Sequence, residues 1–468
     1  MNSMWITLAL IVFVLVMELS IALRKTASNA TETFRSGNPM ANFGSSYVPV
    51  AYMFLPILVF ALLILAIFVE DSLFIQVALV FVYGIAKIGL TMQSKFLAQR
   101  AGPIHSIAPT PSGSANEARF VFYFSAPQKR DALHVTMWQD ALASLGFPYL
   151  IIVKDPSHLD SITPGENCTI MSQGDLIDPS VFIPSGVRAV FYANNSTHNM
   201  RLLRSMPNLA HIQLLHGDSD KPPSYNPITK AFDYIFVSGE MAIDRYKMNN
   251  VMLHRDKFRI VGRPQNTQFK PKENRTRTLV YMTTWSGFFE DSNFSSFPSA
   301  DQIVADLLSV PGIDKVIFKP HPYSDNHPKW ASIKAAVERA AANSKTAFHW
   351  ADRTEDPFEL YAKADVLISD ISSTIIDYLY SGKPYIVTNP QGFSSKELER
   401  YPSVAGGYLC DPDGGNVGEL VELALGDDPM VEKRKEVQNY AFGDLGRPPG
   451  EAFKEACYEI LGMPDQAQ

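Results

Sequence analysis

His216 and His321 are the residues of this chain best placed to move or stabilise a proton, and each sits in a short polar motif behind an apolar segment. The first motif is His216-Gly217-Asp218-Ser219-Asp220-Lys221, after His211 to Leu215. The second is Lys319-Pro320-His321-Pro322, after Val316 to Phe318. A third, Ser369-Asp370-Ile371-Ser372-Ser373-Thr374, follows Val366 to Ile368. Imidazole is the side chain whose ordinary titration spans neutral pH, so His216 can take a proton from a hydroxyl, with Asp218 or Asp220 to orient it or raise its pKa. Gly217 lets the backbone turn where a side chain would clash, and Lys221 closes the motif with a cation. The plain alternative for His216 is a loop histidine bonded to a backbone carbonyl.

The prolines around His321 fix the backbone and carry no amide donors, which presents Lys319 and His321 at a strand end as donors for a pyrophosphate or a leaving phosphate. Ser372, Ser373 and Thr374 open an apolar helix (Ile375, Ile376, Leu379); hydroxyls there cap the helix, and the same helix start can hold phosphate oxygens. Asp370 and Asp377 flank that start and could serve as metal ligands, but a spacing of seven is weak evidence for a metal, so no metal site and no cofactor is assigned and a divalent cation stays open. Arg263 could reach phosphate, though a single exposed Arg is usually only solvated. Asn194, Asn195 and His198 follow another strand end, and Trp285 follows the first strand of the second half.

These motifs need a scaffold that puts strand ends together. Strands are expected at Phe120 to Phe124, Tyr149 to Val153, Val187 to Tyr192, Ile212 to Leu215 and Tyr234 to Val237, where the first half closes. They are expected again at Leu279 to Met282, Val316 to Phe318, Ala347 to Trp350, Val366 to Ser369 and Tyr385 to Thr388. Helical spacing separates them, as at Met137, Ala141 and Leu145, and three helical segments finish the chain. Strands alternating with helices imply parallel βαβ units, hence an α/β fold with two doubly wound parallel-sheet domains facing a cleft.

At 468 residues the chain exceeds one ordinary domain. The expected organisation is a membrane region at 1–101, a Pro/Ser/Gly-rich linker at 102–118, an N-terminal α/β domain at 119–270 and a C-terminal α/β domain at 271–468. Trp5 to Leu23, Val48 to Val69 and Leu73 to Leu90 are nearly uncharged and of transmembrane length, about 20 residues each. Arg24, Lys25, Arg35, Lys95 and Arg100 lie after the first and third spans, so the globular part is expected on the cytoplasmic face of the plasma membrane. A net charge of -7 argues against a nucleic-acid partner. Three scattered cysteines form no zinc or redox motif.

With its three motifs in this order, and with Phe232 to Ser238 beside them, the chain resembles the CDP-glycerol glycerophosphotransferase family of teichoic-acid synthesis over roughly residues 187–395. The resemblance implies a GT-B architecture and transfer of glycerol phosphate, or a related polyol phosphate, from CDP-glycerol to a hydroxyl of a lipid-linked or polymer acceptor, releasing CMP. It implies that His216 is the catalytic base, that His321 contacts phosphate, and that Ser372, Ser373 and Thr374 touch donor phosphate, with Asp377 the later acid of the motif. Two stretches depart from the family. Asp218-Ser219-Asp220 stands where Thr-Pro-Leu is usual, and Gly262-Arg263-Pro264-Gln265-Asn266 departs from a Pro-Arg-Asn-Asp pattern. The alternatives are a GT-B sugar transferase using a nucleotide sugar and a non-catalytic membrane scaffold for polymer assembly.

Overall fold

The structure, a computed structural model, describes residues 106–107, 115–125, 132–165, 167–173, 178–268, 276–286, 293–443, 445 and 447–462. The three expected membrane spans lie outside these residues. Among the described residues no helix is long and apolar enough to cross a membrane.

The chain forms two compact units, one of the described residues up to 132 with 147–187 and 204–206, the other of residues 133–146, 188–203 and those from 207 onward. In the smaller, strands β2 (Phe120–Phe124), β3 (Tyr149–Val153) and β4 (Cys168–Ser172) run parallel in the order β4-β3-β2, and a two-residue strand β1 (Ser106–Ile107) joins β4 antiparallel. β1 lies inside the expected linker: an edge strand this short needs only two backbone pairs and leaves no apolar pattern to read. β4 also escapes the strand reading, because Cys168-Thr169-Ile170-Met171-Ser172 mixes polar residues into a buried run.

The larger unit opens with helix α1 (Leu133–Ala143). Strand β5 (Ala189–Tyr192), helix α2 (Asn199–Ser205), β6 (Ala210–Gln213), β7 (Tyr234–Val237), helix α3 (Glu240–Met248) and β8 (Phe258–Ile260) follow. β5 to β8 are parallel neighbours in chain order, so β7 does not close this half as expected; β8 adds one more strand.

A six-stranded parallel sheet follows, built from β9 (Thr278–Met282), α4 (Ala300–Ser309), β10 (Lys315–Lys319), α5 (Trp330–Asn343), β11 (Ala347–Trp350), α6 (Pro357–Lys363), β12 (Val366–Ser369), α7 (Ser373–Leu379), β13 (Tyr385–Val387), α8 (Ser395–Leu398) and β14 (Tyr408–Leu409). Helices α9 (Val417–Leu425), α10 (Val431–Phe442) and α11 (Glu451–Leu461) end the chain as expected. The sheet order is β11-β10-β9-β12-β13-β14. Period-2 alternation divides its side chains between two cores. Leu279, Tyr281, Val316, Phe318, Val366 and Ile368 pack with α4, α5 and α9 on one face. Val280, Met282, Ile317, Leu367 and Val387 pack with α7 and α10 on the other. Covering both faces is what makes each strand a continuous apolar run. This order reverses direction between β9 and β12, and open α/β sheets bind ligands beyond the carboxyl ends of strands at such a switch.

Candidate active site at the strand ends

All three polar motifs lie in the larger unit. Two of them follow β12 and β10, the strands on either side of β9, and the loop after β9 joins them. Asp370, at the end of β12, is fully buried and works as an internal brace. Its carboxylate accepts the amides of Thr284 at 2.6 Å and Ser296 at 3.0 Å, and the hydroxyls of Ser296 and Thr388. Burial pushes its pKa up to about 6, against the pull of those donors.

The His216 loop meets these strand ends through two contacts. Lys221 Nζ donates to Thr284 Oγ1 at 2.7 Å, and burial brings the lysine down to about pKa 8, opposed by the charge of Asp370. Gly217 abuts the start of α7. A Cβ built on Gly217 would stand 2.8 Å from Ser373 Cβ and 2.9 Å from its Oγ, so only the absence of a side chain lets the loop and the helix start touch. The His321 loop joins on the other side, its backbone amide donating to Thr283 Oγ1 at 3.4 Å.

Backbone groups orient both imidazoles. Leu215 adopts φ +56°, in the left-handed region that an apolar residue avoids. That turn ends the strand two residues earlier than its apolar sequence implies and swings His216 away from β6. Leu215 is held there by Gln213 Oε1, which accepts its amide at 3.1 Å, and by Trp138 Nε1, which donates to its carbonyl at 2.8 Å. His216 Nδ1 lies 3.1 Å from the carbonyl of Ala193. A carbonyl can only accept, so Nδ1 carries the proton and Nε2 presents a lone pair. His321 is the reverse: its Nδ1 accepts the amide of Tyr323 at 3.1 Å, which puts the proton on Nε2. One ring is set up to take a proton and the other to donate a hydrogen bond. The His216 bond is the one expected of a plain loop histidine, yet it also sets the tautomer a base requires.

Several expected partners are placed otherwise. Asp218 and Asp220 do not supply the group at His216 Nδ1. Both are buried and engage Arg245, with Asp218 also accepting from Ser238 and Asp220 from the amide and hydroxyl of Ser403 at 2.9 and 2.6 Å. Burial alone would lower the Arg245 pKa; the two carboxylates outweigh it and hold the guanidinium above its usual value. Arg263 is buried rather than exposed and pairs with Asp377 at 2.8 Å. Burial raises the Asp377 pKa and Arg263 opposes it. Lys319 is also buried, its ammonium donating to the carbonyls of Asp352 at 2.7 Å and Arg353 at 3.4 Å, and burial lowers its pKa. Ser372 is the N-cap residue of α7 with no side-chain cap bond; its hydroxyl lies 3.5 Å from that of Ser369. Asp370 and Asp377 are thus committed to internal partners. Among the described residues no group of three or more His, Cys, Asp or Glu side chains could hold a metal ion. Asn194 and Asn195 bond other parts of the protein: the carbonyl of Asn194 accepts from Asn199 and from Gln213 of β6, and Asn195 Nδ2 donates to the carbonyl of Pro223, just after the His216 motif. Trp285 lies beside the His321 ring, centroids 6.5 Å apart.

Sequence reasoning missed His134, Arg245 and the two threonines after β9. The His134 ring lies flat on that of His216, 4.0 Å between centroids and 13° between planes. Nothing in a sequence pairs residues so far apart. Arg245 had one readable signal: two buried acids in Asp218-Ser219-Asp220 need a cation, and Arg245 is the one that α3 supplies.

Parallel strands with polar loops at their carboxyl ends, two of which carry oppositely set imidazoles, make an α/β site whose residue types suit group transfer. The family comparison then gives the particular kind. Residues 271–409 match the family CDP-Glycerol:Poly(glycerophosphate) glycerophosphotransferase. Over that stretch the chain is similar to the family, and the match supports a CDP-glycerol glycerophosphotransferase-like enzyme. Among solved structures it is similar to the wall teichoic acid polymerase TagF, with TM-score 0.50 and 13% identity over 75% of this chain and 91% of that one. A substituted variant of TagF matches with TM-score 0.50 and 12% identity over the same 75% and 91%. At these identities the likeness speaks for the fold: two parallel-sheet α/β domains with GT-B-like neighbours. No curated protein sequence matches the chain.

Proposed function

We propose that this enzyme moves glycerol phosphate, or a related polyol phosphate, from a CDP-linked donor to a hydroxyl of a lipid-linked or polymer acceptor. The observation that carries the reading is the opposed setting of the two imidazoles, His216 Nδ1 against a carbonyl and His321 Nδ1 against an amide. In this reading the acceptor O–H gives its proton to His216 Nε2. The freed oxygen attacks the phosphorus that bears the polyol. The bond from that phosphorus to the CMP oxygen breaks, and CMP leaves with its new negative charge facing His321 Nε2–H. The hydroxyls of Ser372, Ser373 and Thr374 contact donor phosphate. Lys319, engaged with two carbonyls, is assigned to shaping the His321 loop, and Asp377 to seating Arg263.

The same reading places residues 1–101 as a three-span membrane anchor with the catalytic part on the cytoplasmic face. An acceptor carried on a lipid and a soluble nucleotide would meet there. The family match at 271–409 supports the donor, and the charge pattern after the spans supports the orientation.

CMP release from CDP-glycerol, measured in membranes holding the full chain and a lipid-linked primer, tests the assignment. His216→Ala should lower kcat by about 10²- to 10⁴-fold, the usual contribution of a positioned base. Unchanged turnover would remove His216 from the mechanism. Protection of the protein by a UDP-sugar but not by CDP-glycerol would favour a nucleotide-sugar transferase.

A further inference from the structure

We infer that Gln265 and Asn266 form a hydroxyl-recognition subsite for the polyol portion of a substrate. The inference rests on the function proposed above and adds where the neutral, hydroxyl-rich group is read. Both side chains are buried, each 3% exposed. Gln265 Nε2 and Oε1 and Asn266 Nδ2 and Oδ1 have no hydrogen-bond partner among the described residues. A buried polar atom has given up its water, and without a partner nothing offsets that loss. Adjacent buried carboxamides with all four atoms unsatisfied are therefore an unfavourable arrangement for a fold that makes no use of them.

Their position connects them to the reactive residues. Gly262, at φ +68°, turns the chain out of β8 in a conformation that favours glycine. Arg263 then pins the turn to Asp377 at 2.8 Å. Asp377 lies one turn along α7 from Ser373, the residue against which Gly217 packs. The segment Pro264–Gln268 packs against α1, whose His134 is stacked on His216, and against α6.

The chemistry of the pair selects the ligand. Each carboxamide offers donors and an acceptor. An alcohol is likewise donor and acceptor, so neighbouring hydroxyls of a polyol can satisfy both amides. A phosphate would use the N–H groups alone and turn its oxygens toward Oε1 and Oδ1. A site built to bond hydroxyls discriminates strongly, because a ligand lacking them leaves the amides unpaired. This segment is also one of the two in which the chain departs from the family pattern, so it is a place where its substrate preference can differ from that of relatives.

The test is the double variant Gln265→Met/Asn266→Leu in the full chain, in membranes for kinetics and in detergent for melting. Apolar replacements of similar shape remove the unsatisfied atoms, so the melting temperature without ligand should equal or exceed that of the wild type. Affinity for CMP, which lacks the transferred polyol and keeps only the two ribose hydroxyls, should stay within about twofold of the wild type. KM should rise by about tenfold or more, the equivalent of one lost hydrogen bond of ordinary strength. A rise for CDP-glycerol identifies the donor polyol as the ligand; a rise for a lipid-linked primer ending in glycerol identifies the acceptor. A melting temperature lowered by several degrees would show that the carboxamides serve the fold, and would overturn the inference. Equal loss of CMP affinity would overturn it in favour of recognition of the nucleoside, base or ribose, and unchanged KM values for both substrates would overturn it outright. A wild type that releases no CMP from CDP-glycerol would remove the proposed function and this inference together, an outcome distinct from an active wild type beside an equally active variant.

Discussion

The loop carrying His216 and the loop carrying His321 both leave the carboxyl end of a parallel strand, yet different forces hold them. The His321 ring is oriented locally. Two prolines limit the backbone and the amide of Tyr323 two residues on fixes the ring, while the Lys319 ammonium and the His321 amide tie the loop to Asp352 and Thr283, 33 and 38 residues away. The His216 loop is organised from a distance. Its acids share the cation of Arg245, 25 residues beyond Asp220 in sequence, and Asp220 also bonds Ser403, 183 residues away. Lys221 reaches Thr284 across 63 residues. A ring oriented locally can be read from its own motif. A loop held by remote partners has its histidine in position only after the rest of the unit has folded.

Removing the remote cation should break this comparison most severely. Arg245→Met leaves two buried carboxylates without their counter-charge and should cost about 3–5 kcal/mol, read as a fall in melting temperature. Combining Arg245→Met with Asp218→Thr and Asp220→Leu should recover most of the loss, because no unpaired charge remains buried. If the single variant melts like the wild type, the His216 loop is not held by charge.

A smaller effect is expected where that loop meets α7. Gly217→Ala places a Cβ against Ser373 Cβ and should cost about 1–3 kcal/mol and displace His216, lowering CMP release. Adding Ser373→Gly should restore stability; without such restoration, the contact is not the cause. The smallest effect belongs to the His321 loop. Pro322→Ala mainly loosens the unfolded chain and should destabilise by about 0.4–1 kcal/mol in thermal melting. A loss as large as that of Arg245→Met would erase the distinction between the loops.

The legible parts of this fold share one property: they bury themselves by their own composition. Strands such as Phe120–Phe124, Tyr149–Val153 and Val366–Ser369 are covered on both faces and so read as unbroken apolar runs. β4 and β8 do not read as strands, the first diluted by Thr169 and the serine at its end, the second only Phe258-Arg259-Ile260. Helix α3, with its polar Glu240-Met241-Ala242-Ile243-Asp244-Arg245 start, escapes in the same way, and Arg245 with it. In the candidate site the residue types and their order are legible. Their roles are less so: Asp370, Asp377 and Lys319 look like ligand contacts from sequence, and their side chains instead bond other parts of the protein.

By itself the amino-acid order determined the alternation of strands and helices, the three polar motifs and the kinship they imply, because apolar periodicity and local turn chemistry act over a few residues. Only the tertiary structure decided which nitrogen of each imidazole holds the proton, which acids answer to Arg245 and Arg263, and which amides stay unsatisfied. Those outcomes depend on groups tens to hundreds of residues apart arriving at hydrogen-bonding distance, and no local pattern encodes that meeting.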